Sequence, residues 1–165
     1  MLILLDYGHG GKDPGAVYKG RREADDVLRI GQAVAKRLRA AGVTVDETRT
    51  TDKTMTLEER VATEARKKYD FFISFHRNAF KAEIGTGAEV FVYRLAASKA
   101  KSLADKIQQS LTAVGFRDRG VKEASFYVLK NTRAPALLLE IRFIDNRTDN
   151  ELFDAKFEAV VEGVV

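Results

Sequence analysis

Two histidines and a glutamate stand at corresponding places in the chain, each at the end of a short apolar run. His9 follows the run 2–5, His76 closes the run 70–76, and Glu140 follows the run 136–139. The chain has no cysteine and no other histidine, so a metal ion here must be held by His, Asp or Glu. Two imidazoles and a carboxylate form the protein ligands of many hydrolytic zinc sites, and the sequence therefore predicts such a site.

A second carboxylate, Glu23, is also a candidate for this site. It lies one helical turn before the apolar Val27, which puts both residues on the inward face of a predicted helix. Zinc lowers the pKa of a water molecule to about 7, and a further carboxylate can take that proton and pass it to a leaving nitrogen. The spacing fits Glu23 and Glu140 in either role, zinc ligand or general acid/base.

Each of these residues also has a purely structural interpretation. A histidine at a strand end can simply be hydrogen-bonded, and the carboxylate of Glu23 at a helix start is favoured by the helix dipole. Glu140 is harder to explain in this way, because a carboxylate after four apolar residues is expected to be partly buried and then needs a partner.

The elements that must position these residues follow from apolar periodicity. The pattern predicts strands at 2–5, 43–48, 70–76, 88–93, 126–129 and 136–141. It predicts helices at 23–41, 56–68, 98–114, and from a capping box at 148–151 to the end. Alternating strands and helices indicate an α/β sandwich with a largely parallel sheet. Ligands bind at the carboxyl ends of such strands, so His9, His76 and Glu140 are expected at one rim.

Composition limits the class of protein. The chain has 165 residues, 45% hydrophobic and 32% charged, which predicts one globular domain over 1–165 and a monomer. No apolar run reaches the roughly 20 residues that span a bilayer, and the opening run lacks the basic segment of a signal peptide. The net charge of +4 is spread along the chain and accompanies no nucleic-acid-binding motif, so no nucleic-acid partner is expected.

Several segments, taken together and in order, resemble one family. They are residues 5–16, 22–25, 48–49 with 57–60, 72–79, 119–122 followed by 126–129, and 134–140. The chain resembles the zinc amidases found in bacterial autolysins, sporulation wall hydrolases and phage endolysins, over essentially its whole length. The resemblance implies a three-layer sandwich with a twisted, mostly parallel sheet of about six strands flanked by helices.

The resemblance also implies roles for the residues. His9, Glu23 and His76 would bind one zinc ion per chain, and Glu140 would be the catalytic acid/base. The implied substrate is peptidoglycan, cut at the amide between the lactyl group of N-acetylmuramic acid and L-alanine. The expected location of action is the bacterial wall, reached from outside the cell or, for an endolysin, from the cytoplasm at lysis. We expect a catalytic domain without a wall-binding module, which could be fused to it outside these residues.

The chain departs from the family pattern after two of these residues, where Arg77 and Arg142 replace small residues. Arg142 lies two positions after Glu140, so on a strand it is predicted to share that face and to pair with a stem-peptide carboxylate. Asn78 is predicted to hydrogen-bond the substrate amide.

Two alternative functions remain open. One is a zinc carboxypeptidase acting on stem peptides, in which Arg142 would hold the terminal carboxylate. The other is a catalytically inactive wall-binding domain.

Overall fold

The computed structural model describes residues 1–96 and 98–165. The strands are β1 (Leu2–Tyr7), β2 (Val17–Tyr18), β3 (Arg21–Arg22), β4 (Thr44–Glu47), β5 (Phe71–Asn78), β6 (Ala88–Val92), β7 (Asp118–Glu123) and β8 (Ala136–Phe143). The helices are α1 (Glu23–Ala40), α2 (Leu57–Glu64), α3 (Lys99–Ala113), α4 (Tyr127–Asn131), α5 (Arg147–Ala155) and α6 (Phe157–Val164).

Six of these strands form the central sheet, in the order β4-β1-β5-β8-β6-β7. The first four run parallel to one another, β6 is antiparallel to β8, and β7 is parallel to β6. The remaining two strands make a small antiparallel hairpin directly before α1. The predicted sheet of six mostly parallel strands is therefore confirmed, and the carboxyl ends of β1, β5 and β8 lie side by side at one rim.

Helices cover both faces of the sheet, as the predicted three-layer sandwich requires. On one face α1, α3 and α6 pack over a large apolar core that includes Leu5, Val27, Ile107, Leu139 and Val161. On the other face α2 and α4 enclose a smaller cluster that includes Leu4, Phe72, Val128 and Leu138. Within the described residues, no helix combines the length and the apolar character that a membrane crossing needs.

One predicted strand was wrong, and one strand of the sheet was not predicted. The segment predicted as a strand at 126–129 forms the short helix α4, because an apolar run of this length fits one helical turn as well as a strand. Its buried Val128 and Leu129 close the smaller cluster. The sixth strand is instead β7, a polar edge strand in which no residue is fully buried.

The predicted C-terminal helix also differs from the structure. Asn146, not Thr148, caps it, because the Asn146 side chain accepts a hydrogen bond from the backbone of Asp149. Lys156 then interrupts the helix with φ −110° and ψ 17°, which divides it into α5 and α6.

Candidate metal centre

Three potential metal ligands meet at the rim of the sheet. His9 follows β1, Glu23 begins α1, and His76 lies near the end of β5. One ligand atom from each residue lies within 4.8 Å of the others, and they form the one such group of three found in residues 1–96 and 98–165. Glu23 Oε1 is 3.2 Å from His9 Nε2 and 3.0 Å from His76 Nδ1. Two imidazole nitrogens facing one buried carboxylate oxygen fit the donor set that zinc prefers.

The backbone holds the carboxylate of Glu23 in place. Oε2 accepts a hydrogen bond from the Ala16 backbone at 3.0 Å, and Oε1 accepts one from the Arg77 backbone at 3.0 Å. Burial raises the pKa of Glu23, but hydrogen bonds and charge from His76 and His9 outweigh burial and hold that pKa well below its ordinary value. Glu23 is therefore an anion at neutral pH, as a metal ligand must be.

Asp13 orients the first histidine. Its Oδ2 is 2.8 Å from His9 Nδ1, while its Oδ1 accepts a hydrogen bond from the Gly15 backbone at 3.0 Å. Burial lowers the pKa of His9, but the hydrogen bonds and charges of Glu23 and Asp13 raise it above the ordinary value. With Nδ1 occupied by Asp13, Nε2 is the nitrogen directed at Glu23. Carboxylates in this position fix the tautomer of a ligating histidine.

Asp13→Asn is expected to weaken zinc binding about 10–100-fold, the usual cost of losing such an outer partner. Titration of the zinc-loaded protein with a competing chelator measures the change. Asp25→Asn is the matched control, because Asp25 is an exposed acid of α1 that pairs with Arg22. An Asp13→Asn protein with the affinity of the control would contradict the orienting role.

Two buried arginines fix the loop that carries His9. Arg60 of α2 donates to the carbonyls of Tyr7 at 2.6 Å and His9 at 2.7 Å. Arg49 donates to the carbonyls of Tyr7 and Gly8, both at 2.9 Å. His9 itself has φ 59°, a left-handed conformation that such bonds help to maintain. Neither arginine was assigned a role from the sequence. The one signal for them is their place in the segments 48–49 and 57–60, which carry the family resemblance.

Asp6 is the charge partner of Arg60, and both residues are buried. The Arg60 guanidinium donates to Asp6 Oδ1 at 2.7 Å, and Ser74 and Thr48 also donate to this carboxylate, each at 2.7 Å. Burial raises the pKa of Asp6, yet the charge of Arg60 and these hydrogen bonds lower it below the ordinary value. Asp6 therefore stays ionised under the candidate metal centre.

Asp6→Asn is expected to reduce the free energy of unfolding by about 3–5 kcal/mol at neutral pH, because Arg60 is left as an unpaired buried charge. The folded-state pKa of Asp6 is depressed, so its contribution is present above the unfolded-state pKa and is lost as the pH falls through the folded value. Urea unfolding should therefore show the largest difference in unfolding free energy between the native protein and Asp6→Asn at neutral pH, and a smaller difference in acid. Asp105→Asn, which removes an exposed helical pair with Lys101, should cost under about 1 kcal/mol.

Glu140 lies beside the three candidate ligands but does not belong to that group. It is the parallel-strand partner of His76, and its Oε2 is buried without a hydrogen-bond partner among the described residues. Burial, the negative charge of Glu23 and that of Glu89 together raise the pKa of Glu140 well above its ordinary value. A carboxyl group with a raised pKa in a cleft can exchange protons near neutral pH.

A cavity of about 380 Å³ opens onto these residues between α2 and α4. His9, His76 and Glu140 form part of its floor, and apolar side chains form much of its walls: Met55, Leu57, Phe126, Tyr127 and Val128. The site therefore has both reactive groups and a surface that a substrate can contact.

The structure contradicts the prediction for Arg142. The β5–β8 register shifts between the pairs His76–Glu140 and Asn78–Phe143, so β8 carries one extra residue there. Arg142 adopts φ 65° at this bulge, which breaks the alternation that would place it on the face of Glu140. Its buried guanidinium instead donates to Asp149 at 2.6 Å. This pairing removes the residue on which the carboxypeptidase alternative depended.

Arg77 and Asn78 also have partners within the protein. Arg77 is buried, forms an ion pair with Asp26 and lies 4.3 Å from the centroid of the Phe153 ring. The side-chain nitrogen of Asn78 donates to Glu89 at 2.6 Å. Arg77 thus holds α1 and α5 against the sheet. The side-chain carbonyl oxygen of Asn78 is the atom left to accept a hydrogen bond from a substrate N–H.

This fold and site define a candidate metal-dependent hydrolase, and comparison with known proteins agrees. The family model described as N-acetylmuramoyl-L-alanine amidase matches residues 3–163. The N-acetylmuramoyl-L-alanine amidase LytC of Bacillus subtilis (strain 168) is 39% identical over 151 residues, covering 89% of this chain and 30% of LytC. The endolysin of Bacillus phage SPP1 is 39% identical over 171 residues, covering 98% of this chain and 62% of the endolysin.

A solved structure shows the same fold over nearly the full chain. The N-acetylmuramoyl-L-alanine amidase from Clostridium difficile 630 has a TM-score of 0.92 at 30% identity, covering 99% of this chain and 91% of that one. The chain belongs to the N-acetylmuramoyl-L-alanine amidase family. It spans less than two thirds of the length of LytC and of the phage endolysin.

Proposed function

We propose that the chain is a zinc-dependent amidase that hydrolyses the bond between the lactyl group of N-acetylmuramic acid and L-alanine in peptidoglycan. The observation that carries this proposal is the convergence of His9, Glu23 and His76 beside an unpaired, buried Glu140. Membership of the amidase family supports the identity of the scissile bond. We further propose that residues 1–165 act as one monomeric catalytic domain.

In this proposal His9 Nε2, His76 Nδ1 and Glu23 would hold one zinc ion. Their atoms already face one another, Glu23 is anionic, and Asp13 fixes the tautomer of His9. When bound, zinc supplies Lewis-acid chemistry: it polarises a carbonyl and lowers the pKa of a water molecule.

Glu140 moves the proton. Its buried Oε2 has no competing hydrogen bond among the described residues, so the carboxylate can accept the proton of the attacking water and then donate it to the alanine nitrogen. Its raised pKa suits both steps, because the group must gain and lose a proton in each cycle. Asn78 is proposed to accept a hydrogen bond from a substrate N–H through its carbonyl oxygen.

Release of new amino groups from purified peptidoglycan, with identification of the new N-terminal residue, tests the proposal. Native protein and metal-depleted protein are assayed in parallel, and zinc is then returned to the second. New N-terminal alanine that disappears with the metal and returns with zinc is the expected result. Release of another terminal residue would show a peptidase, and wall binding without any release would show an inactive binding domain.

A further inference from the structure

A cluster of charged side chains lies beside Glu140, and its two cations have no part in the proton transfer described above. Glu89, at the start of β6, is the antiparallel partner of Glu140 in β8. The Glu89 carboxylate accepts hydrogen bonds from Asn78 Nδ2 at 2.6 Å and Arg119 Nε at 3.1 Å, and it is also paired with Lys122. Both cations come from β7, the edge strand that the sequence did not predict.

The cluster presents positive charge to solvent. The Glu89 side chain is only 5% exposed, whereas Arg119 is 30% and Lys122 is 42% exposed. One buried negative charge thus lies beneath two accessible positive charges, so the surface keeps an excess of one cation. The Glu89 carboxylate holds both cations in position through charge-assisted contacts but balances the charge of only one.

Arg119 has unused donors. It binds Glu89 through Nε alone, and across residues 1–96 and 98–165 its two terminal nitrogens have no hydrogen-bond partner. The Phe143 ring supports the guanidinium, with Cζ 5.0 Å from the ring centroid. A planar guanidinium with two free terminal N–H groups matches a carboxylate in a bidentate pair.

The strand spacing between Glu140 and Arg119 can be compared with the length of a short extended peptide. Neighbouring strands lie about 4.8 Å apart, and Arg119 reaches back from β7 to a glutamate of β6, the strand next to Glu140. An extended peptide advances about 3.5 Å per residue. For a peptide that runs from Glu140 across β6 toward β7, the residue after the alanine of the cut amide comes within reach of Arg119.

We propose that Arg119, with Lys122 beside it and Glu89 beneath it, binds the free carboxylate of the stem-peptide residue that follows L-alanine. The stem peptide then runs across β6 and β7, and the sugar lies toward the apolar walls formed by α2 and α4. This inference rests on the proposed amidase function and assigns it a preference for an acidic second residue.

The test uses two soluble glycan substrates whose tripeptides differ only at the second residue: D-glutamate with a free α-carboxylate in one, and its α-amide, D-isoglutamine, in the other. The measured quantity is kcat/KM for release of N-terminal alanine. Native protein is expected to prefer the acid at least about tenfold, the usual value of a charge-assisted pair. Arg119→Gln should bring the acid-to-amide ratio close to one, and Lys122→Gln should lower it in the same direction by less.

Arg66→Gln is the matched control, since Arg66 is an exposed arginine just beyond α2, in a pocket at the amino-end rim of the sheet. It should keep the native ratio. Equal rates of native protein on the two substrates would overturn the inference while leaving the amidase intact. No alanine from either substrate would instead refute the proposed function itself. If Arg119→Gln does not fold, the native ratio and the Lys122→Gln ratio still decide.

Discussion

Glu140→Gln is expected to lower kcat for release of N-terminal alanine by about 10²–10⁴-fold, the usual contribution of general acid–base catalysis. Glutamine keeps the size and polarity of the side chain, but it cannot take up and return a proton. The three proposed metal ligands are untouched, so zinc content should stay at the native level. Steady-state assays on peptidoglycan, with metal analysis of the same samples, measure both quantities.

Glu158→Gln provides the comparison for this variant. Glu158 is an exposed glutamate of α6 that pairs with Arg37 on the surface, so its loss should leave kcat and zinc content as in the native protein. A zinc-loaded Glu140→Gln protein that keeps native kcat would show that another group moves the proton. An inactive variant without zinc would show that Glu140 acts on the metal site instead.

The residues at the rim of the sheet could be predicted from the sequence because each one is marked by its immediate sequence neighbours. Each of His9, His76 and Glu140 ends a run of apolar residues, and the carboxyl ends of parallel strands must meet at one edge. The structure brings the two histidines together with Glu23, while the separate roles of Glu23 and Glu140 came from the family resemblance. Those roles remain predictions that metal analysis and kinetics can test.

The parts of the site that the sequence did not predict depend on contacts between distant segments. Arg60 and Asp6 are 54 residues apart, and nothing near either one indicates that they pair in the interior. Arg142 was placed on the wrong face because strand alternation holds only without a bulge, and the extra residue in β8 is set by its pairing with β5.

Glu89 and β7 illustrate the same limit. A strand at the edge of a sheet needs no apolar pattern, so the polar sequence of β7 gave no period-two signal. The apolar residues just after it form one helical turn because Val128 and Leu129 fill a gap over β8, and this gap exists only once the sheet is assembled. Tertiary packing decided both elements.

Gly8→Ala is expected to lower kcat/KM by about 10²-fold or more and to weaken zinc binding. A Cβ atom at Gly8 would lie 2.3 Å from Cε1 and 2.6 Å from Nε2 of His76, closer than any real contact permits. The ring must then turn away, because the backbone of Gly8 is fixed by its bond to Phe75 and by Arg49. A shift of about 1 Å in a catalytic group is enough for such a loss.

The comparison for Gly8→Ala is Gly42→Ala. Gly42 lies just beyond the end of α1 with φ 84°, and an added Cβ there meets no atom within 4 Å. That variant should lose about 1 kcal/mol of stability through backbone strain while keeping native zinc affinity and activity. Chelator titration and alanine release on both proteins separate the two effects. If a folded Gly8→Ala protein keeps native zinc affinity, displacing the His76 ring has no effect on zinc binding. His76 would then not be a zinc ligand held rigidly by this turn.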